Sequence, residues 1–231
     1  MVKLDIFSDP ICPWCYIGKT YLDRALEKAG DHPFEVEWHP FQLIPDMPAA
    51  GMDRQAYFAA KCGGPGNAME VYNRIEQAAR KAGIEIDFAR IARTPNTLNA
   101  HRLIYWAGLE VAQTPVKSAL MRAYFREGRD IGDAEVLADI GARWGNLERE
   151  AVLRLLVSDA DVEAIRARDA HARERGMNAV PTFVLANHYV LRGAQPAELW
   201  GQVIEEIQTK LAAAEADPQA DMQTGPETGE A

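Results

Sequence analysis

The chain has 231 residues, of which 48% are hydrophobic and 26% charged, with three cysteines and a formal net charge of -9. A chain of this length buries a sizeable core without covalent staples, so a disulfide-rich secreted scaffold is excluded. The acidic balance also argues against a general nucleic-acid binder, which needs clustered Lys and Arg to displace counterions; the closest basic run, Arg166, Arg168, Arg173 and Arg175, is interleaved with Asp161, Glu163, Asp169 and Glu174.

Val2 to Phe7 alternates as a short strand, and Ser8, Asp9 and Pro10 break it. No basic stretch with a long apolar core precedes it, so no signal peptide is read here. No later segment approaches the ~18 consecutive apolar residues of a membrane span. The expected compartment is the cytoplasm, where a cysteine pair is more often catalytic or metal-binding than structural. Ile17, Leu22, Ala25, Leu26 and Ala29 then form a helical stripe that stops at Gly30. Phe34 to Phe41 alternates as a second strand.

From about Asp53 to Gly176 the pattern is helical, broken at Gly63, Gly64 and Gly66, at Pro95 and Asn96, and at Pro115, Gly132 and Ser158. Asp133 is expected to cap one helix, and Ser158 another that carries Val162 and Ile165. The apolar face of Val136 to Trp144 suits either the core or a homodimer contact. Strand character returns at Thr182 to Leu185 and Tyr189 to Leu191, with a turn at Asn187 and His188. Pro196 opens a closing helix whose face is Leu199, Val203, Ile207 and Leu211. A lone hairpin is only marginally stable, so the two early and two late strands must pair with each other. The expected organisation is a discontinuous sheet domain, 1–50 and 177–212, a helical insertion, 51–176, and an acidic disordered tail, 213–231. That tail holds Glu215, Asp217, Asp221, Glu227 and Glu230 with no Lys or Arg, so much of the net charge says little about the folded part.

Cys12-Pro13-Trp14-Cys15 is the most informative stretch. At a helix start, Cys12 faces unsatisfied backbone N–H groups and the positive end of the helix dipole, which lowers a thiol pKa. Cys15 lies about one turn further on, within disulfide reach. The same spacing serves half of a zinc site. Cys62 is the only other cysteine and no second ligand pair follows, so no metal is expected. The second signal is Val180-Pro181-Thr182-Phe183. A proline opening a strand there either holds a cis peptide bond or merely begins an edge strand in trans.

Ser8-Asp9-Pro10-Ile11-Cys12-Pro13-Trp14-Cys15, the helices, and Gly176-Met177-Asn178-Ala179-Val180-Pro181-Thr182-Phe183 together resemble the DsbA-like thioredoxin-fold family. Trp38-His39-Pro40-Phe41-Gln42-Leu43 and Asn96-Thr97-Leu98-Asn99-Ala100-His101-Arg102-Leu103 sharpen the resemblance to its FrnE-like dithiol-disulfide oxidoreductases. It implies an α/β thioredoxin fold with a large all-helical insertion. It also implies Cys12 as nucleophile, Cys15 as resolving thiol, and Pro181 as a cis-proline beside them. Pro13, Trp14 and Val180 would meet a substrate. That substrate would be a protein thiol or disulfide, or glutathione as redox partner, with no bound cofactor and no nucleic-acid or membrane partner. His39, Asn96 and His101 are candidates for supporting positions around the thiols, whereas His171 reads as a solvated side chain.

Two other functions compete. Kappa-class glutathione transferases and 2-hydroxychromene-2-carboxylate isomerases resemble this chain in fold, yet carry serine at the position of Cys12 and nothing matching Cys15. The helical block could instead be a chaperone-like binding surface with the dithiol as a redox sensor.

Overall fold

The strand Val2–Ser8 (β1) occupies the middle of the sheet, with Leu4 and Ile6 fully buried, in the computed structural model, which describes residues 1–216. The four-stranded order is β2-β1-β5-β6, where β2 is Phe34–Pro40, β5 Thr182–Leu185 and β6 Tyr189–Arg192. β1 runs parallel to β2 with Val2 opposite Phe34, and antiparallel to β5 with Phe7 opposite Thr182. A parallel pair requires a crossover, and helix α1 (Pro13–Ala29) supplies it. Gly30, at φ 69°, ends that helix as the left-handed stop expected of glycine.

The early and late strands therefore form one sheet, as the pattern requires. The hairpin turn sits one residue earlier than expected, because Ala186 and Asn187 adopt the left-handed conformation at φ 50° and 60° and the His188 N–H closes onto the Leu185 carbonyl at 3.0 Å. The closing helix α9 runs from Ala197 to Ala216, past the expected limit at 212, and the rest of the expected acidic tail, 217–231, lies outside the described residues. Trp200 and Ile204 of α9 are buried, with Trp200 edge-on to Phe183 at 4.9 Å. Large aromatic groups of this kind contribute most of the burial energy of a small sheet core.

Between β2 and β5 the chain is helical: α2 (Arg54–Cys62), α3 (Pro65–Lys81), α4 (Leu98–Leu109), α5 (Gln113–Phe125), α6 (Ala134–Trp144), α7 (Arg149–Val157) and α8 (Val162–Glu174). Two short strands, Met52–Asp53 (β3) and Arg93–Thr94 (β4), pair there as well, too short to leave a period in the sequence. Asp133 caps α6 through the N–H groups of Glu135 and Val136. Ser158 does not start the next helix. Its hydroxyl closes the end of α7 on the Leu155 carbonyl at 2.8 Å, and α8 begins at Asp161 with no side-chain cap. Leu137, Ala138 and Ile140 turn the apolar face of α6 into core, leaving Trp144 partly exposed against the guanidinium groups of Arg122 and Arg143.

The inserted helices are bonded to the sheet as well as packed against it. Gln113 accepts from the Trp38 N–H at 2.9 Å and donates to its carbonyl at 3.3 Å, covering the outer edge of β2 from α5, while Thr114 accepts from the Trp38 indole at 2.8 Å. Inside the insert, the fully buried Arg102 donates to the carbonyls of Leu155, Leu156, Ser158 and Ala160, tying the end of α7 to α4. These carbonyls would otherwise be orphaned at a helix end. Arg102→Met keeps most of the volume and removes every donor. It is expected to lower the unfolding free energy by about 3 kcal/mol. Urea denaturation measures this, and a loss under about 1 kcal/mol would show that the carbonyls find other partners.

Candidate functional site

Cys12 sits at the N-cap of α1 with extended backbone (φ -84°, ψ 114°), because Pro13 takes the first helical position and needs no hydrogen bond there. The Cys12 Sγ accepts from the Cys15 N–H at 3.3 Å, so one orphan donor of the helix start does reach the sulfur. On its other side the thiol donates to the Val180 carbonyl at 3.8 Å. The Val180–Pro181 peptide is cis, one of the two states the sequence left open. Both cysteines are buried and free of any disulfide.

Helix α1 approaches the Val180–Pro181 loop closely at Gly18. A β-carbon there would stand 3.1 Å from Cγ of Pro181 and 3.3 Å from Cα of Ala194. Trp14, 38% exposed, and Leu43 are the large apolar residues left open beside this turn, and Pro13 is half-buried. The Leu43 N–H is tied to the Asp9 carboxylate at 2.7 Å, so the segment after β2 forms a wall of the site. Asn96 braces that wall: its side chain donates to the Met47 carbonyl at 2.6 Å and accepts from Gln42 at 3.3 Å. From α8, Asp169 accepts the Gln42 N–H at 2.9 Å.

The ionisation of the pair departs from the helix-start expectation. Cys12 is only 3% exposed, and burial pushes its thiol well above the usual range, with a Cys15 thiolate adding to the effect. Burial opposes the Cys15 thiolate too, but the Cys12 thiol, the cation of Lys117 and the Ser8 hydroxyl outweigh it and lower Cys15. The Cys12 thiol is turned toward the Val180 carbonyl. A helix-terminus effect of about 1 kcal/mol is smaller than the desolvation of a buried thiolate.

Two groups beneath the pair carried no signal in the sequence beyond their charge. Asp9 is fully buried. It accepts from the N–H groups of Leu43 and Ile11 and, at 3.4 Å, from the Thr97 hydroxyl. Burial nevertheless pushes its carboxyl up to about 6. Lys117, 1% exposed on α5, donates to the Ser8 carbonyl at 3.1 Å, and burial brings its ammonium down to about 8 against the pull of Cys15 and Asp9. His101 of α4 is buried with Nε2 3.8 Å from the Asp9 carboxylate, without a hydrogen bond, and burial holds it well below the usual imidazole value, hence neutral.

His39 stands apart from this group. Its Nε2 meets Asp5 at 2.7 Å and its ring stacks on Phe7 at 4.8 Å. Asp5, Glu37 and His39 converge as three possible metal ligands, but the Lys3 ammonium already pairs with Asp5 at 3.2 Å and Glu37 at 2.9 Å. His171 is exposed, with only Glu174 nearby at 3.9 Å. Cys62 ends α2 beside Tyr72, in the α2–α3 pair, with no second sulfur among its described partners. None of the described helices is long and apolar enough to cross a membrane.

Comparison with known proteins agrees with this geometry. The family described as DSBA-like thioredoxin domain matches residues 3–205. The uncharacterised protein YwbO of Bacillus subtilis is 28% identical over 210 residues, covering 90% of this chain and 98% of that one. Among solved structures, a probable DsbA oxidoreductase from Streptomyces coelicolor superposes with a TM-score of 0.77 at 27% identity, covering 89% of each chain. The cytosolic disulfide reductase DsbM of Pseudomonas aeruginosa superposes with a TM-score of 0.64 at 22% identity, covering 92% of this chain and 100% of that one, a likeness of fold.

The buried carboxyl of Asp9 makes stability depend on pH in an unusual direction. The folded chain holds this proton up to about pH 6, whereas the unfolded chain loses it near 3.8. The folded state thus binds more protons between those values, and its stability falls as pH rises through that window, by about 3 kcal/mol from this group. Asp9→Asn is expected to flatten the pH 4 to 6 limb of the unfolding free energy measured in urea. An unchanged limb would mean that other carboxylates produce it.

Proposed function

The chain belongs to the DSBA-like thioredoxin domain family, and on that premise we propose that it is a cytoplasmic dithiol-disulfide oxidoreductase whose working pair is Cys12 and Cys15. Membership of the family supports an enzyme of the DsbA-like oxidoreductase/isomerase type with an α/β thioredoxin fold. The observation that carries the finer reading is the Cys12 thiol, held at a helix N-cap and facing the Val180 carbonyl, with Cys15 behind it.

In the reductive direction the Cys12 proton passes to Cys15, and the Cys12 thiolate attacks one sulfur of a substrate disulfide. A mixed disulfide forms and the first substrate thiolate departs. Cys15 gives its proton to that departing thiolate and then, as thiolate, attacks Cys12 Sγ; the intramolecular disulfide forms, and the second substrate thiolate departs and takes a proton from water. The substrate loses its S–S bond and gains two electrons and two protons. The backbone of Val180 would pair with an extended segment carrying the disulfide, and Trp14, Pro13 and Leu43 would receive its apolar side chains. Protein disulfides fit this surface, and glutathione is the small thiol we assign to the return half-reaction. The fold likeness to a cytosolic disulfide reductase supports both the direction and the compartment.

Cys12→Ser is expected to abolish insulin disulfide reduction with a thiol donor, to within the uncatalysed rate. Cys15→Ser should accumulate mixed disulfides through Cys12, visible on non-reducing gels, whereas Cys62→Ser should change neither result. Retained turnover in Cys12→Ser would overturn the reading in favour of a binding or sensing role. Trapping through Cys62 would reassign the nucleophile.

A further inference from the structure

The wall beside the cysteine turn begins with a peptide unit that is held from two sides. Its Leu43 N–H donates at 2.7 Å to Asp9, in the turn that leads to Cys12. Its Gln42 carbonyl accepts from the guanidinium of Arg173 on α8. One unit earlier, the Gln42 N–H donates to Asp169, also on α8, at 2.9 Å. Asp169 and Arg173 stand four residues apart on one face of the helix, joined through the arginine Nε at 2.9 Å. The two members of one ion pair thus bind the donor and the acceptor of the same residue. Asp169 is buried, which separates the pair from the solvated charges around it, and the guanidinium lies 4.1 Å from the ring of the buried Phe41. The planar fork of arginine suits this bridge between a carboxylate and a carbonyl, whereas a lysine ammonium does not reproduce it.

The backbone is anchored on both sides of Leu43 N–H, yet the Leu43 side chain stays 38% exposed, as does that of Trp14. An apolar side chain held in the open on an ordered backbone is pre-organised for contact, because a partner that covers it has little chain entropy left to remove. The same helix also governs the facing segment. α8 closes with the Gly176 N–H on the Arg173 carbonyl at 2.9 Å and the Met177 N–H on that of Ala172 at 3.1 Å, and the chain then runs through Asn178 and Ala179 to Val180. One element therefore sets both the Leu43 wall and the start of the segment that presents the Val180 carbonyl.

We infer that Asp169 and Arg173 are positioning residues that hold Leu43 as the contact for an apolar side chain of a polypeptide disulfide, so that the site selects such substrates over small-molecule disulfides. The inference rests on the dithiol reading above and adds how the site chooses its substrate. An extended segment lying along Val180 sends successive side chains to opposite sides. Leu43 receives one of them, a contact that a disulfide without a peptide chain cannot make.

The test mixes the full-length, pre-reduced protein with excess disulfide and follows oxidation of the Cys12–Cys15 pair by acid quenching and thiol alkylation. Insulin is compared with bis(2-hydroxyethyl) disulfide, which is small and uncharged. Arg173→Met, checked for folding by circular dichroism, is expected to raise the half-saturating insulin concentration about five-fold while the limiting rate stays within about two-fold of the parent. The ratio of the insulin rate constant to that of the small disulfide should fall by the same factor. Leu43→Ala should lower this ratio as much, and adding Arg173→Met to it should lower it no further. If Arg173→Met does not fold, Arg173→Lys, which keeps the charge and loses the fork, replaces it with an expected fall of about three-fold. An unmoved ratio in any folded single variant, or losses that multiply in the double variant, would overturn the inference. So would variants changed only in oligomeric state on gel filtration, which would make Leu43 a contact between copies. A parent protein inert toward both disulfides would overturn the dithiol reading and this inference with it, whereas an active parent with unmoved ratios overturns the inference alone.

Discussion

The antiparallel pairing of β1 with β5 is the constraint from which the site follows. Because Phe7 stands opposite Thr182, the C-terminal end of one strand and the N-terminal end of the other meet at the same edge of the sheet. The turn leaving β1 carries Cys12, and the peptide preceding β5 carries Val180 and Pro181. Two segments separated by most of the chain are thereby aimed at one another by backbone hydrogen bonds alone. The intervening residues are free to be an entire helical block, provided that its two ends return to that edge.

The block is not a passive spacer. Gln113 and Thr114 grip the outer strand through Trp38, Asp169 and Asn96 brace the wall formed by residues 42 to 47, and Lys117 reaches beneath the cysteines. The same helices that cover the sheet edge therefore set the charge environment of the thiols. In water a lone ammonium and a thiolate would gain about 1 kcal/mol from each other; in a closed pocket, desolvation and pairing are both several times larger, and the balance between them decides where the proton rests. That is why the helix dipole, which the sequence draws attention to, is the smaller influence on Cys12.

What could be read from the sequence was local. The cysteine turn, the Gly30 stop, the Asp133 cap and the alternation of the four strands each depend on residues within a few positions, so their patterns survive in a one-dimensional string. Ser158 shows the limit: the same residue type serves either end of a helix, and only the packing of α7 against Arg102 assigns it to the end of one helix rather than the start of the next. Asp9 stood in plain view inside the motif, but its burial depends on Leu43 and Thr97. Lys117 carries no local mark of its burial, which the packing of α5 decides. His39, an expected neighbour of the thiols, is instead engaged by Asp5 on the sheet, because strand register rather than sequence distance decides which way it faces.

Gly18 gives the cleft its dimension. Nothing covalent holds α1 against the loop that ends in Pro181. The two approach where a side chain is missing: a β-carbon there would stand 3.1 Å from a proline carbon and 3.3 Å from backbone, tighter than ordinary packing. The distance between the Cys12 sulfur and the peptide it faces is thus gauged by an absent methyl group one helical turn beyond Cys15. A single carbon added there would wedge the two walls apart without altering any group that carries charge or chemistry.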